Sequence, residues 1–386
     1  MKVIEAISDM NIGGAGRLLL TRLANSSSEG TDTVVLLPTG SMLKSKFSDI
    51  GVSTRSFEGC SDRSFDVGAI GGIARIIKEE KPDIVNSHGC MSARIAAFLC
   101  RVPVRIHTRH CAYPVPLWQR IFPVKQIIGG LNAALSHRTI AVACAARRNL
   151  LDMGMSDDRI TVIINGVDRL RKYGEAERRE ARRRLGLEHS FVVGICARVE
   201  KCKDHESFLR AARILSLEDE KYRFVIVGDG SMLGEMKALA SALGIEDKVI
   251  FTGFTDDVEE YFNVFDINVN CSVGTETSSL ALSEGMSIGL PSVASSYGGN
   301  TYMVRHGENG FIYSQRDFTE LADMIRRIAS SPSLYEHMSD KAYERYSEEL
   351  NSEKMTRETE ALYKELYREY TLRAKARLSG NEGSAP

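Results

Sequence analysis

Long apolar runs are missing from this 386-residue chain. Nowhere does it offer the roughly eighteen consecutive apolar residues of a membrane-spanning helix. Met1–Ile7 reads as a short strand, and Glu5 and Asp9 exclude a signal peptide there. Cys-x-x-Cys pairs are also absent. The cysteines stand scattered at 60, 90, 100, 111, 144, 196, 202 and 271, a pattern that predicts reduced thiols and a cytoplasmic location. His88, Cys90, His107, His110 and Cys111 fall near one another, but their spacing fits no common zinc framework. No Asp-x-Asp pair ends a strand-like run, no fixed short repeat appears, and acidic residues are missing altogether between Asp83 and Asp152.

That acid-free interval is rich in cations: Arg94, Arg101, Arg105, Arg109, Arg120, Lys125, Arg138, Arg147 and Arg148. Residues 1–170 hold 21 Lys and Arg against 15 Asp and Glu, whereas 171–386 hold 29 against 36. A net charge of −1 thus conceals a positive first half suited to an anionic partner. Within it, Trp118-Gln-Arg-Ile-Phe-Pro-Val-Lys125-Gln-Ile-Ile mixes bulky apolar and basic residues. Such a segment suits either an anionic membrane surface or a buried position with two exposed cations.

What the chain does contain is alternation. Short β-branched runs alternate with helical patterns, which predicts α/β domains with parallel sheets covered on both faces. The expected strands are Val3–Ile7, Thr33–Leu37, Asp83–Ser87, Val104–Thr108, Thr139–Ala143 and Ile160–Ile164, then Phe191–Ala197, Arg223–Val227, Lys248–Phe251, Asp266–Asn270, Ser292–Ser295 and Gly310–Tyr313. Length and pattern predict a first domain over 1–170, a linker over 171–190 and a second domain over 191–351. A helix over 352–378 is expected to return to the first domain, with a disordered tail at 379–386. A ligand is expected in a cleft between the domains, outside the carboxyl ends of the strands.

Several motifs fall at those ends. Gly13 and Gly14 precede a helix, where the backbone can approach an anion, although a plain tight turn explains them equally. Their spacing and the end of the next strand, Leu36-Leu37-Pro38, disfavour a dinucleotide fingerprint. Arg198 and Lys203 lie five positions apart after a buried strand, either a diphosphate clamp or a solvated basic loop. Glu276 and Glu284 flank a helix start at Ser278, Ser279 and Leu280, where a favourable dipole interaction alone would account for them. His107, which alternation turns away from Thr108, reads as structural.

Taken in order, these segments resemble the retaining glycosyltransferases of family 4, with the GT-B fold of two Rossmann-like doubly wound domains. The resemblance rests on the Glu276-x7-Glu284 spacing, Arg198-x4-Lys203, Asn165-Gly-Val-Asp168, Val227-Gly-Asp-Gly230, Tyr297-Gly-Gly-Asn300 and His306-Gly-Glu-Asn-Gly310. Ala197 and Asp204 replace glycines usual in the family, and Thr277-Ser278-Ser279 stands where Gly-Phe-Gly is usual. The resemblance implies transfer of a sugar from a nucleoside-diphosphate sugar without a metal or bound cofactor. It places His110 and Glu276 at the reacting sugar. Gly13, Gly14, Arg198, Lys203, Ser279, Leu280 and Glu284 would bind the donor, Glu284 through the ribose hydroxyls. The acceptor implied is a lipid-linked saccharide of the cell surface, reached by a cytoplasmic enzyme that touches anionic membrane through 94–148; no nucleic acid is expected. A nucleotide-sugar epimerase and a non-catalytic sugar-nucleotide-binding module share these features.

Overall fold

The computed structural model describes residues 1–27, 30–274 and 276–381, for 377–381 the backbone alone. The chain forms two compact units, one of residues 1–165 with 352–386 and one of 166–351.

The first unit carries a parallel sheet of seven strands in the order β3-β2-β1-β4-β5-β6-β7. These are β1 (Lys2–Ile7), β2 (Asp32–Pro38), β3 (Ser53–Phe57), β4 (Ile84–His88), β5 (Val104–Arg109), β6 (Arg138–Ala141) and β7 (Ile160–Val162). Alternation along β2 shows why the sheet is covered twice. Val34 and Leu36 join the core formed with Ile73 and Ile77, while Val35 and Leu37 join Leu19, Leu23 and Phe47. Each such fully buried aliphatic side chain contributes about 1.5–3 kcal/mol. β3 was not among the expected strands. Its sequence, Ser-Thr-Arg-Ser-Phe, lies at the sheet edge with only Phe57 buried, so it lacks the apolar signal of its neighbours.

The second unit repeats the plan with six parallel strands in the order β10-β9-β8-β11-β12-β13. They are β8 (Phe191–Cys196), β9 (Tyr222–Val227), β10 (Val249–Gly253), β11 (Ile267–Asn270), β12 (Ser292–Ser295) and β13 (Gly310–Tyr313). Gly194 in mid-β8 is required by packing, since a Cβ there would stand 2.1 Å from the Phe265 ring.

Two expectations need correction. The stretch 171–190 is no linker: its helix Glu175–Arg184 is fastened to the second unit. Arg178 and Arg182 each donate to the Asp266 carboxylate, at 2.8 and 2.7 Å, and cover the carbonyls of Asn263, Val264 and Phe265. The charged look that suggested a linker is the outer face of that helix. The C-terminal helix also runs further than expected, over Ser352–Asn381, so 379–381 are helical; 382–386 lie outside the described residues. This helix belongs to the first unit, where Tyr363 reaches β1 and Glu360 accepts from Ser26 at 2.6 Å. The second unit is therefore an insertion. Its two ends run side by side, with Val167 N–H donating to the Leu350 carbonyl at 2.9 Å.

Candidate active site

In both units the strand order reverses at one place, between β1 and β4 and between β8 and β11. In open parallel sheets ligands bind beyond the carboxyl ends of the strands at this switch point. The residues singled out from sequence fall there.

In the second unit the loop after β8 carries Arg198, and Lys203 closes the short turn Lys201–Lys203. Glycines after β9 press onto this loop. A Cβ at Gly228 would stand 2.1 Å from the Ala197 carbonyl oxygen, and one at Gly230 2.4 Å from that of Val199. Val199 is bonded across to the Asp229 carbonyl at 2.9 Å, so Arg198 rests on a fixed backbone. Its side chain is exposed and makes no hydrogen bond or ion pair among the described residues. Asp204, where a glycine is usual, adopts φ +49 and tolerates it as an aspartate can.

Opposite, β11 ends in Asn270. Its Nδ2 donates to Ser279 Oγ at 2.9 Å and approaches Glu276 Oε2 at 3.4 Å, while its Oδ1 accepts from Ser272 N–H and Asn300 Nδ2. Ser272 Oγ donates to Glu276 Oε2 at 2.7 Å, and Lys203 Nζ donates to the same oxygen at 2.6 Å. Lys203 and Glu276, expected on different parts of a ligand, are thus joined. Ser279 caps the helix Leu280–Ser287, accepting from Leu282 N–H; Ser278 Oγ is buried without a partner among the described residues. Glu284 is buried one turn into this helix. Gly298 and Gly299 lie against the loop before it: a Cβ at either would stand 1.9 Å from the carbonyl oxygen of Glu276 or Thr277. Asn270, Ser272 and Asn300 were not anticipated. The alternation of asparagines in a strand otherwise buried, Asn268 and Asn270, was the available signal.

In the first unit Gly13 caps and Gly14 opens the helix Gly14–Ala24. A Cβ on Gly14 would meet nothing within 4 Å, whereas one on Gly16 would strike Leu43 at 2.8 Å. Gly16 serves packing; the backbone at Gly14 faces open space, as close approach of a ligand requires. Nearby, β4 ends in His88 and β5 leads to His110, with His88 Nδ1 2.9 Å from His110 Nε2. His88 Nε2 lies 2.8 Å from Glu5 Oε2, and Glu5, wholly buried, also takes Arg22 and, at 2.9 Å, Tyr363 Oη. Burial by itself raises the Glu5 carboxyl, but Arg22, His88 and Tyr363 overcome this and bring it down to about 2. His110 is lowered to about 3 by burial and by His88, so it is neutral at physiological pH; its Nδ1 is enclosed with no partner among the described residues. His107 is buried in the sheet and pushed well below its ordinary range by burial and by Arg94 and Arg109.

Two family models match in succession: "Glycosyltransferase Family 4" over residues 12–171 and "Glycosyl transferases group 1" over 177–345. The chain belongs to glycosyltransferase family 4. Among relatives of this family-4 chain, N-acetyl-alpha-D-glucosaminyl L-malate synthase of Bacillus anthracis is 24% identical over 312 residues, 79% of this chain and 80% of that protein. The UDP-Gal:alpha-D-GlcNAc-diphosphoundecaprenol alpha-1,3-galactosyltransferase of Escherichia coli is 27% identical over 283 residues, 70% and 72% of the two chains. HepE of Anabaena, solved in complex with UDP, matches the glycosyltransferase chain with a TM-score of 0.82 at 20% identity, covering 95% of this chain and all of that one. The two doubly wound units are those of the GT-B fold.

Proposed function

We propose that this glycosyltransferase moves a sugar from a UDP-sugar to a hydroxyl of a lipid-linked saccharide, with retention at the anomeric carbon. The observation that carries the donor reading is the switch point of the second unit. An unpaired, exposed guanidinium at Arg198 stands on a fixed loop, and Lys203 sits beside Glu276 at the carboxyl ends of β8 and β11. An ammonium has three donors. Lys203 spends one on Glu276 and directs a second at Ser272 Oγ, 3.3 Å away, leaving one for a phosphate oxygen without breaking the pair. In the reaction the bond from the anomeric carbon to the diphosphate oxygen breaks and one to the acceptor oxygen forms on the same face. The acceptor proton passes to the departing diphosphate. Arg198, Lys203 and the N–H groups at Leu280 meet the charge that develops there, the work a metal does in other transferases. In the second unit Glu276 faces the sugar and Glu284 accepts from the ribose hydroxyls; His110, in the first unit, meets a sugar hydroxyl. The UDP-glucose complex of the HepE relative supports a uridine donor, and the diphosphoundecaprenol in the name of the E. coli relative supports a lipid-linked acceptor.

An exposed apolar face supports approach to a membrane. Leu117, Trp118 and Phe122 are 79%, 59% and 80% exposed, and Tyr113, Ile121, Ile127 and Leu131 extend the patch. It lies wholly inside the acid-free interval, next to Lys125. Bulky apolar side chains beside cations, with no acid in the interval, suit an anionic lipid surface. No described helix is long and apolar enough to cross a membrane, and the docking proposed here is peripheral.

Incubation with UDP-, GDP- and ADP-sugars, following release of the nucleoside diphosphate, tests the reading. Slow release from a UDP-sugar, accelerated by a lipid-linked saccharide, is expected. Isomerised sugar without release would identify an epimerase instead, and neither outcome a binding module.

A further inference from the structure

The protons of the Glu5–His88–His110 chain can be assigned one by one. Glu5 is ionised at neutral pH and can only accept, so the 2.8 Å contact with His88 Nε2 needs a proton on that nitrogen. A neutral His88 then carries a lone pair on Nδ1. His110 Nε2, 2.9 Å away, must supply the proton between them. A neutral His110 so protonated has a bare Nδ1, the nitrogen enclosed without a partner. Asn86 Nδ2 also stands 3.2 Å from His88 Nε2, but it donates to Tyr363 Oη at 2.7 Å, its Oδ1 accepts from Thr108 Oγ1 at 3.0 Å, and the ionised Glu5 carboxylate is the nearer neighbour of Nε2 at 2.8 Å. Tyr363 Oη in turn donates to Glu5 Oε1. His110 lines a small pocket of about 30 Å³ with Arg22, Asn165 and Met355, room for one water or one hydroxyl group.

We propose that Glu5 and His88 act as a tautomer lock that presents His110 Nδ1 as a hydrogen-bond acceptor. His88 is thus a positioning residue. The proposal deepens the reading of His110 as part of the sugar site: the group it meets must be a hydroxyl that gives its proton.

The test is the ¹⁵N histidine NMR spectrum of the full chain labelled at histidine, with His110 assigned through His110→Gln. At pH 7.5 His110 is expected with its proton on Nε2 and a bare Nδ1. His88→Gln can still donate to Glu5 and accept from His110, so the tautomer should persist. His88→Leu should leave a mixture of tautomers. A protonated Nδ1 on His110 at pH 7.5, or an unchanged single tautomer in His88→Leu, overturns the proposal. Both readouts come from the free protein, so loss of the transferase reading in the sugar-nucleotide assay would not bear on the lock, nor the reverse.

Discussion

Lys203 Nζ stands 2.6 Å from Glu276 Oε2, with the carboxylate buried and the lysine largely so. A cation read for phosphate and an acid read for sugar are therefore one ion pair before any ligand arrives. Removing one member strands the other charge. Lys203→Met is expected to lower stability by about 3 kcal/mol. Adding Glu276→Gln should restore most of that loss without restoring turnover, which should stay at about a hundredth or less. Urea unfolding and sugar-nucleotide turnover on the two single variants and the double variant check this. Recovery of turnover in the double variant would remove the pair from the site.

Arg198 presents the opposite case. It is exposed and bears no side-chain hydrogen bond or ion pair among the described residues, so folding does not use it. Arg198→Ala should shift stability by no more than about 0.5 kcal/mol, yet reduce turnover by about 10²–10³. Equal losses in unfolding midpoint and turnover would refute the separation.

Two glycines should part company. Gly14→Ala adds a methyl group to open space at the start of a helix, so stability should hold or rise by up to about 1 kcal/mol. Donor affinity should nevertheless fall, because the methyl group occupies the approach to the backbone. Gly298→Ala places a Cβ 1.9 Å from the Glu276 carbonyl oxygen at a backbone of φ +57, and should lose both stability and donor binding. Calorimetric titration with UDP alongside thermal unfolding distinguishes the two.

Acid should weaken the fold before the carboxylates titrate. Burial lowers His205 to about 4, and neither of its ring nitrogens has a partner among the described residues. Its pKa in the folded chain is thus below that of the unfolded chain, near 6.5. The neutral ring's contribution is complete above pH 6.5 and is lost as pH falls from there towards 4; at pH 5 the loss is about 2 kcal/mol. His205→Leu should therefore narrow the difference in unfolding free energy between pH 8 and pH 5 by roughly that amount. An unchanged difference would count against it. Glu5, lowered to about 2, acts in the next window: its stabilisation is complete above about 4.5 and is lost below.

At the apolar face, Trp118→Ser with Phe122→Ser should release the protein from anionic vesicles at low salt, weakening binding at least tenfold. Phosphatidylcholine vesicles should hold the unmodified chain poorly, because they lack the charge that Lys125 and its neighbours meet. Sedimentation with vesicles measures both. Equal retention of the variant would end the membrane assignment.

Strands such as β8 and β9 were legible because they are buried on both faces and so written as apolar, β-branched runs; β3, Ser-Thr-Arg-Ser-Phe with only Phe57 buried, carries no such run. Motif spacing led to Arg198, Lys203, Glu276 and Glu284, and the strand order brings the loops after β8 and β11 together. Asn270, Ser272 and Asn300 escaped notice because a hydrogen-bond hub is made by strand neighbours, not by spacing. Glu5 is the sharper lesson. In the sequence it served only to interrupt an apolar stretch, while in the fold it is wholly buried among Arg22, His88 and Tyr363. No local period could show a partner 358 positions away.

That distance also sets an order of birth. Residues 166–351 leave the ribosome as an uninterrupted block between β1 and Tyr363. The second unit is therefore complete in the chain while Glu5 and Arg22 of the first still lack their Tyr363 cover.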